Sequence, residues 1–230
     1  MPSCGHTIAR MCIVVAFCNL KGGAGKTTLA VNVASALHRG GTKALLVDAD
    51  PQGSATAWAA RAAELGRDGP PCFSVASAAL RRDLPRLIEP FSVALLDGPA
   101  RLGAETRAAM LAADLVVVPM TPGAVDLWAA AETVRVLEDA RGLRPELRAV
   151  ALLNRADRTA LSRMARSAIA SLGIAPLDVV VGSRVAFGEG MLNGLGVVDH
   201  APASEAASEI RRLTKAILEA VSGNGSEVAA

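Results

Sequence analysis

Short continuous apolar runs, rich in leucine and β-branched residues, alternate along the chain with Ala-rich segments whose apolar positions recur at helical spacing. The runs predict strands over Cys12–Phe17, Ala44–Val47, Val93–Leu96, Leu115–Val118, Ala149–Leu153 and Leu177–Val181. The segments between them predict helices over Lys26–Arg39, Ser54–Leu65, Ala76–Ile88, Ala104–Leu111, Val125–Ala140, Thr159–Leu172 and Ser204–Val221. A strand that is apolar throughout must be covered on both faces, which is the pattern of parallel strands joined by helices. The expected fold is therefore α/β and doubly wound, a mostly parallel sheet with helices on both faces. On the last helix Ile210, Leu213, Ile217 and Val221 form the stripe expected to be buried, while Arg211, Arg212 and Lys215 point elsewhere.

The chain has 230 residues, a length that suits one domain, expected over 11–221. Residues 1–10 are expected to be a flexible extension in which Met11 leads straight into the first strand, and the polar stretch 222–230 a flexible tail. Arg67–Pro71 is the one break in composition and is expected to be a surface loop.

Composition narrows the chemistry. Apolar residues make up 51% and aromatics 3%, with four Phe, two Trp and no Tyr, so the core must be aliphatic and tyrosine chemistry is excluded. The longest apolar stretches, such as Leu111–Met120, fall well short of the roughly 20 residues that span a bilayer, and no membrane partner is expected. The four cysteines show neither C-x-x-C pairing nor zinc spacing, which fits a reduced, cytoplasmic setting with Cys12 and Cys18 as buried strand residues. Twenty-four basic residues against 22 acidic ones leave a formal charge of +2, too small to imply nucleic acid by itself. The basic set is nonetheless lopsided, with 20 Arg and only Lys21, Lys26, Lys43 and Lys215 as lysines. Two of the four lie five residues apart in one glycine-rich stretch.

That stretch is Lys21-Gly22-Gly23-Ala24-Gly25-Lys26-Thr27-Thr28, set between the first strand and the first helix. In this geometry backbone N–H groups and a helix N-terminus converge on an anion, and glycines let the backbone approach phosphates closely. Lys26 would reach the β- and γ-phosphates of a nucleotide, and the Thr27 hydroxyl would ligate Mg²⁺. The common G-x-x-x-x-G-K-[ST] form fails, because Leu20 stands where its first glycine belongs. The second strand ends in Asp48-Ala49-Asp50-Pro51-Gln52, two carboxylates on one face at the carboxyl edge of the sheet. The third delivers Ala94-Leu95-Leu96-Asp97-Gly98-Pro99.

The K-G-G-x-G-K-[ST] loop, the D-x-D-P-Q segment and the strand ending in Asp97 together resemble the ParA/MinD family of ATPases with a deviant Walker A loop. The resemblance implies ATP and Mg²⁺ as ligands and an ATP-dependent homodimer. Lys21 would reach across that dimer to the nucleotide of the other subunit. It implies that Asp50 positions or deprotonates the attacking water, that Asp48 helps hold the metal's water shell, and that Asp97 orders the metal as the Walker B acid. The stretch Pro119-Met120-Thr121-Pro122 with Asp126 and Trp128 resembles small plasmid-type ParA proteins akin to ParF, which would put Asp126 near the dimer interface. Its alternative reading is an acid in the first turn of a helix. Asn154 matches the asparagine that reads the adenine edge.

By the same resemblance the ATP dimer binds DNA non-specifically, with Arg184, Arg211, Arg212 and Lys215 as candidates, places the protein on the nucleoid, and has its hydrolysis stimulated by a ParB-like or other cargo adaptor. Plasmid or chromosome partition is the expected task. Positioning of a protein cargo such as a carboxysome or chemotaxis cluster is the alternative, and a small-molecule ligase of the dethiobiotin synthetase type is more distant. The cysteines of a nitrogenase iron protein and the basic amphipathic terminal helix of membrane-targeted MinD have no counterpart here.

Overall fold

The computed structural model describes residues 12–77, 79–157 and 159–223. Met11, the expected extension 1–10 and positions 224–230 of the expected tail lie outside them. Seven strands form one sheet: β1 (Ile13–Phe17), β2 (Ala44–Asp48), β3 (Cys72–Ser74), β4 (Val93–Asp97), β5 (Leu115–Met120), β6 (Arg148–Ala156) and β7 (Ala175–Gly182). Their order is β3-β2-β4-β1-β5-β6-β7, and every pairing is parallel. The helices are α1 (Lys26–Arg39), α2 (Ser54–Glu64), α3 (Leu80–Ile88), α4 (Ala104–Ala112), α5 (Ala124–Leu143), α6 (Ala160–Ala170), α7 (Val185–Leu192), α8 (Val197–His200) and α9 (Glu205–Ser222).

The apolar runs behave as double-sided coverage demands. Val14 and Ala16 of β1, Leu45 and Val47 of β2, and Ala94 and Leu96 of β4 face one core, shared with α3, α4, α5 and α6. The intervening Val15, Phe17, Leu46 and Leu95 face a second core, shared with α1, α2, α7, α8 and α9. Each such buried side chain contributes about 1.5–3 kcal/mol, so Leu95→Ala, at 0% exposure, would cost about 2–5 kcal/mol. The chain steps outward from β1 to β2 and β3, returns to β4, then crosses β1 to build β5, β6 and β7. This reversal opens the crevice beside β1 at the carboxyl edge, where such sheets bind ligands.

Several boundaries depart from expectation for local reasons. Cys12 and Cys18 are buried but flank β1 instead of lying within it. The second and fourth strands extend one residue further, so Asp48 and Asp97 are in register with each other, and Asp97 also with Phe17. β5 runs on through Pro119 to Met120. β6 runs on to Ala156, placing Asn154 inside a strand. α3 starts at Leu80, because a turn at Ser77, whose hydroxyl accepts the Ala79 N–H, occupies the preceding residues. α5 is longer at both ends; Ser204 caps α9 through the Ala207 N–H, so that α9 starts at Glu205, and the helix ends at Ser222, where Gly223 turns left-handed. The stretch after the Arg67–Pro71 loop forms the edge strand β3. Two helices, α7 and α8, occupy a region to which the sequence pattern assigned none.

Candidate active site

The loop between β1 and α1 forms because its glycines take backbone angles other residues resist. Gly23 and Gly25 have φ of 81° and 90°, and a Cβ on Gly25 would lie 2.2 Å from the Asn154 amide nitrogen. Gly25 is also the N-cap of α1 and offers no side-chain cap. The first-turn N–H groups of α1 therefore face the crevice as anion donors. Asn154 braces the loop from β6, its amide donating to the Ala24 carbonyl at 2.8 Å. It lines a cleft of about 440 Å³ with Gly25, Thr28, Arg184, Phe187 and Met191.

The two loop lysines point to different partners. Lys26 is buried and its ammonium donates to the Lys21 carbonyl at 3.1 Å. Burial lowers its pKa, and the negative field of Asp97 opposes that shift. Lys21 is half-buried and turns away to Asp126 on α5, with Nζ 2.5 Å from Oδ1. Gly123, just before α5, leaves room for this carboxylate, since a Cβ there would sit 2.6 Å from Asp126 Oδ2.

The three carboxylates differ in what they already hold. Asp48 Oδ2 accepts the Thr56 N–H and hydroxyl at 2.8 and 2.9 Å, and its Oδ1 accepts the Asp50 N–H at 3.2 Å. These bonds give Asp48 a structural task beside its expected part in the metal's water shell. Asp48 is a buried brace that ties the loop after β2 to the first turn of α2. Asp50 is half-buried and accepts the Gln52 N–H, which shapes the same turn. Neither oxygen of Asp97 has a hydrogen-bond partner, although the residue is fully buried. Burial raises its pKa to about 7, with the nearby Thr27 hydroxyl and Lys26 ammonium pulling the other way and Asp48 adding to the rise. A buried, unpartnered carboxylate beside a threonine hydroxyl and a phosphate-sized cradle fits a magnesium ion, which takes few protein ligands and completes its shell with water and phosphate. Gly98 is required beside it, because a Cβ there would meet the Phe17 carbonyl at 2.7 Å. Burial also lifts the Cys18 and Cys72 thiols to about 12, so both remain protonated packing groups.

The candidate DNA contacts differ among themselves: Arg184 borders the cleft beside Gly25 and Asn154, whereas the other three lie on α9. Arg184 is committed internally, 2.8 Å from both Glu205 and the buried Glu209, which also accepts the Gly182 N–H. That double ion pair ties Arg184 to α9 while about a third of its side chain stays exposed. Arg211, Arg212 and Lys215 are exposed on α9. Arg211 donates to the Pro202 carbonyl and Lys215 lies 3.7 Å from Glu219.

Three contributors escaped the sequence motifs. Asn19 and Thr133, both buried, hydrogen-bond the first residues of the loop. Arg155, beside Asn154 on the cleft wall, takes a left-handed backbone with φ of 53° where the pairing of β6 with β7 slips register. No local motif marks any of them.

Comparison with known proteins adds an independent line. The family profile described as the CobQ/CobB/MinD/ParA nucleotide binding domain matches residues 15–197. The maintenance of carboxysome distribution protein A of Halothiobacillus neapolitanus is 31% identical over 209 residues, covering 89% of this chain and 95% of its own. The chromosome-partitioning ATPase Soj of Thermus thermophilus is 32% identical over 240 residues, covering 90% and 96%. Among solved structures, cobyrinic acid a,c-diamide synthase from Mycobacterium smegmatis, with bound ADP and magnesium, superposes with a TM-score of 0.73 at 25% identity, covering 91% of this chain and 95% of its own.

Proposed function

Because the chain belongs to the CobQ/CobB/MinD/ParA nucleotide-binding family, we propose that it is a magnesium-dependent ATPase that dimerises on ATP and, as a dimer, carries cargo over DNA. The observation behind this reading is the divergence of the two loop lysines, one turned inward over the loop and one outward to α5. Lys26 would neutralise the phosphates of its own subunit. Lys21, half-exposed at the edge of the crevice, would serve a nucleotide in a second copy. A lysine suits both tasks, since a compact ammonium fits among phosphates where a planar guanidinium would be bulkier.

Thr27 and Asp97 would hold magnesium, which when bound supplies positive charge against the β- and γ-phosphate oxygens. Asp50 would orient the attacking water from a loop whose shape Asp48 and Thr56 maintain. Asn154 supports the loop from beneath and borders the space for a base. Turnover would be slow until an adaptor protein stimulates it. The cargo is DNA in the primary reading. A protein cargo has comparable support, since a carboxysome-distribution protein and a chromosome-partitioning ATPase match the chain over similar lengths.

Sizing chromatography with Mg²⁺ and a non-hydrolysable ATP analogue tests the proposal. The wild-type protein should shift to a dimer, and Lys21→Ala should remain monomeric while still binding nucleotide. A Lys21→Ala protein that dimerises like wild type would refute the role in trans.

A further inference from the structure

The first residues of the phosphate loop are fixed to β5 and α5 by a buried polar network that the proposed chemistry does not use. The Asn19 amide nitrogen donates to the Pro119 carbonyl at 2.7 Å, and its oxygen accepts the Lys21 N–H at 2.8 Å. The Thr133 hydroxyl accepts the Leu20 N–H at 3.1 Å and donates one turn back along α5 to the Ala129 carbonyl at 2.9 Å. Asn19 is 1% exposed and Thr133 0%. Such a network is costly to leave half-made and rigid when complete.

We infer that Thr133 is a positioning residue for Lys21, anchoring the backbone from which that lysine reaches a nucleotide in the second subunit. The inference rests on the reading of Lys21 as a lysine acting in trans. The network divides the loop into two limbs. In the anchored limb, Leu20 and Lys21 direct their N–H groups to Thr133 and Asn19, so neither is available to a phosphate. In the open limb, a Cβ added to Gly22 or Gly23 would meet nothing within 4 Å, and Gly25 rests against Asn154. The same helix that carries Thr133 also carries Asp126, the partner of the Lys21 ammonium. With the preceding Leu20 N–H anchored to α5 and its own N–H held by Asn19, Lys21 can exchange Asp126 for a distant phosphate by a side-chain swing alone. Without the anchor, the limb moves and the aim of the ammonium is lost.

Thr133→Val keeps the shape and removes the hydroxyl, and Thr133→Ser restores it. ATP affinity is measured in the Lys21→Ala background, where dimerisation does not contribute, with and without Thr133→Val. Dimerisation is measured by sedimentation of the single Thr133 variants with Mg²⁺ and a non-hydrolysable analogue. Retained ATP affinity, a roughly tenfold rise in the protein concentration for half-maximal dimer in Thr133→Val, and recovery in Thr133→Ser are expected. Equal loss of ATP affinity would overturn the inference, because Thr133 would then shape the whole loop. Wild-type dimerisation of Thr133→Val, beside a monomeric Lys21→Ala control, would overturn it while sparing the trans-lysine reading. A Lys21→Ala control that dimerises would remove both.

Discussion

Burial of Asp97 without a hydrogen-bond partner sets folding and function against each other at a single carboxylate. The folded chain binds the Asp97 proton more tightly than the unfolded chain does, because the pKa rises from 3.8 to about 7. Stability contributed by this group is therefore fully present at low pH and declines as pH climbs from about 4 to 7, levelling off above. At neutral pH the ionised form costs on the order of a few kcal/mol unless a cation compensates. Asp97→Asn should accordingly raise the melting temperature of the metal-free protein at pH 7.5 by several degrees, since about 1 kcal/mol moves a chain of this size by about 2–4 °C. The gap should close towards pH 5, and the variant should lose the further stabilisation that Mg²⁺ with ATP gives the wild type. Thermal melts from pH 5 to 8 with chelator present check this, and parallel pH curves for the two proteins would contradict it.

Elements explain which parts of the molecule were legible in the sequence. β1, β2, β4, β5 and β6 stand out as apolar runs because both of their faces are buried, and α1 stands out because Leu29, Val33 and Leu37 repeat on one side before Gly40 and Gly41. β3 has three residues at the sheet edge, with Phe73 44% exposed, so burial leaves no pattern to read. The apolar pattern of α7 is interrupted by Gly188 and Gly190, the latter lying where the Leu195 carbonyl would be 3.1 Å from a Cβ. Site residues divide similarly. Lys21, Lys26 and Asp97 belong to contiguous motifs, whereas Thr133 lies 113 positions from Leu20 and looks like any helix residue until the fold brings them together.

Arg184 carries a structural role that its place in the sequence does not announce. It joins the end of β7 to α9 through Glu209, and its removal would leave that carboxylate buried with only the Gly182 N–H. Because Arg184 is itself about a third exposed, solvent screening reduces the cost to about 1–3 kcal/mol. Arg184→Ala should lower the melting temperature by several degrees, and Arg212→Ala should leave it within a degree. Equal melting temperatures for the two variants would mean that the Arg184–Glu209 pair carries no structural load.

At the scale of the whole molecule, the sheet's carboxyl edge and the basic face of α9 are separate regions joined by packing. Asn32 on α1 donates to the Thr28 carbonyl, just behind the phosphate loop, and accepts the Val197 N–H of α8 at 2.6 Å. α8 leads directly into α9, which also packs along α1. Loop and basic helix thus belong to one contiguous half of the structure, so two copies joined at the crevice would hold two α9 faces in fixed relation. A formal charge of +2 gives a single copy little long-range attraction for a polyanion. Arg211, Arg212 and Lys215 repeated across a two-fold give six cations, and neutralising that many phosphates corresponds to a slope of log affinity on log salt of about −5. DNA binding measured by fluorescence anisotropy should therefore need the ATP analogue, rise steeply with protein concentration, and approach that slope as an upper limit. Arg212→Ala removes one cation per subunit and should flatten the slope by about 2 without altering nucleotide-dependent dimerisation. DNA binding indifferent to nucleotide, or a slope unchanged by Arg212→Ala, would mean that the basic face of α9 is an ordinary solvated helix surface.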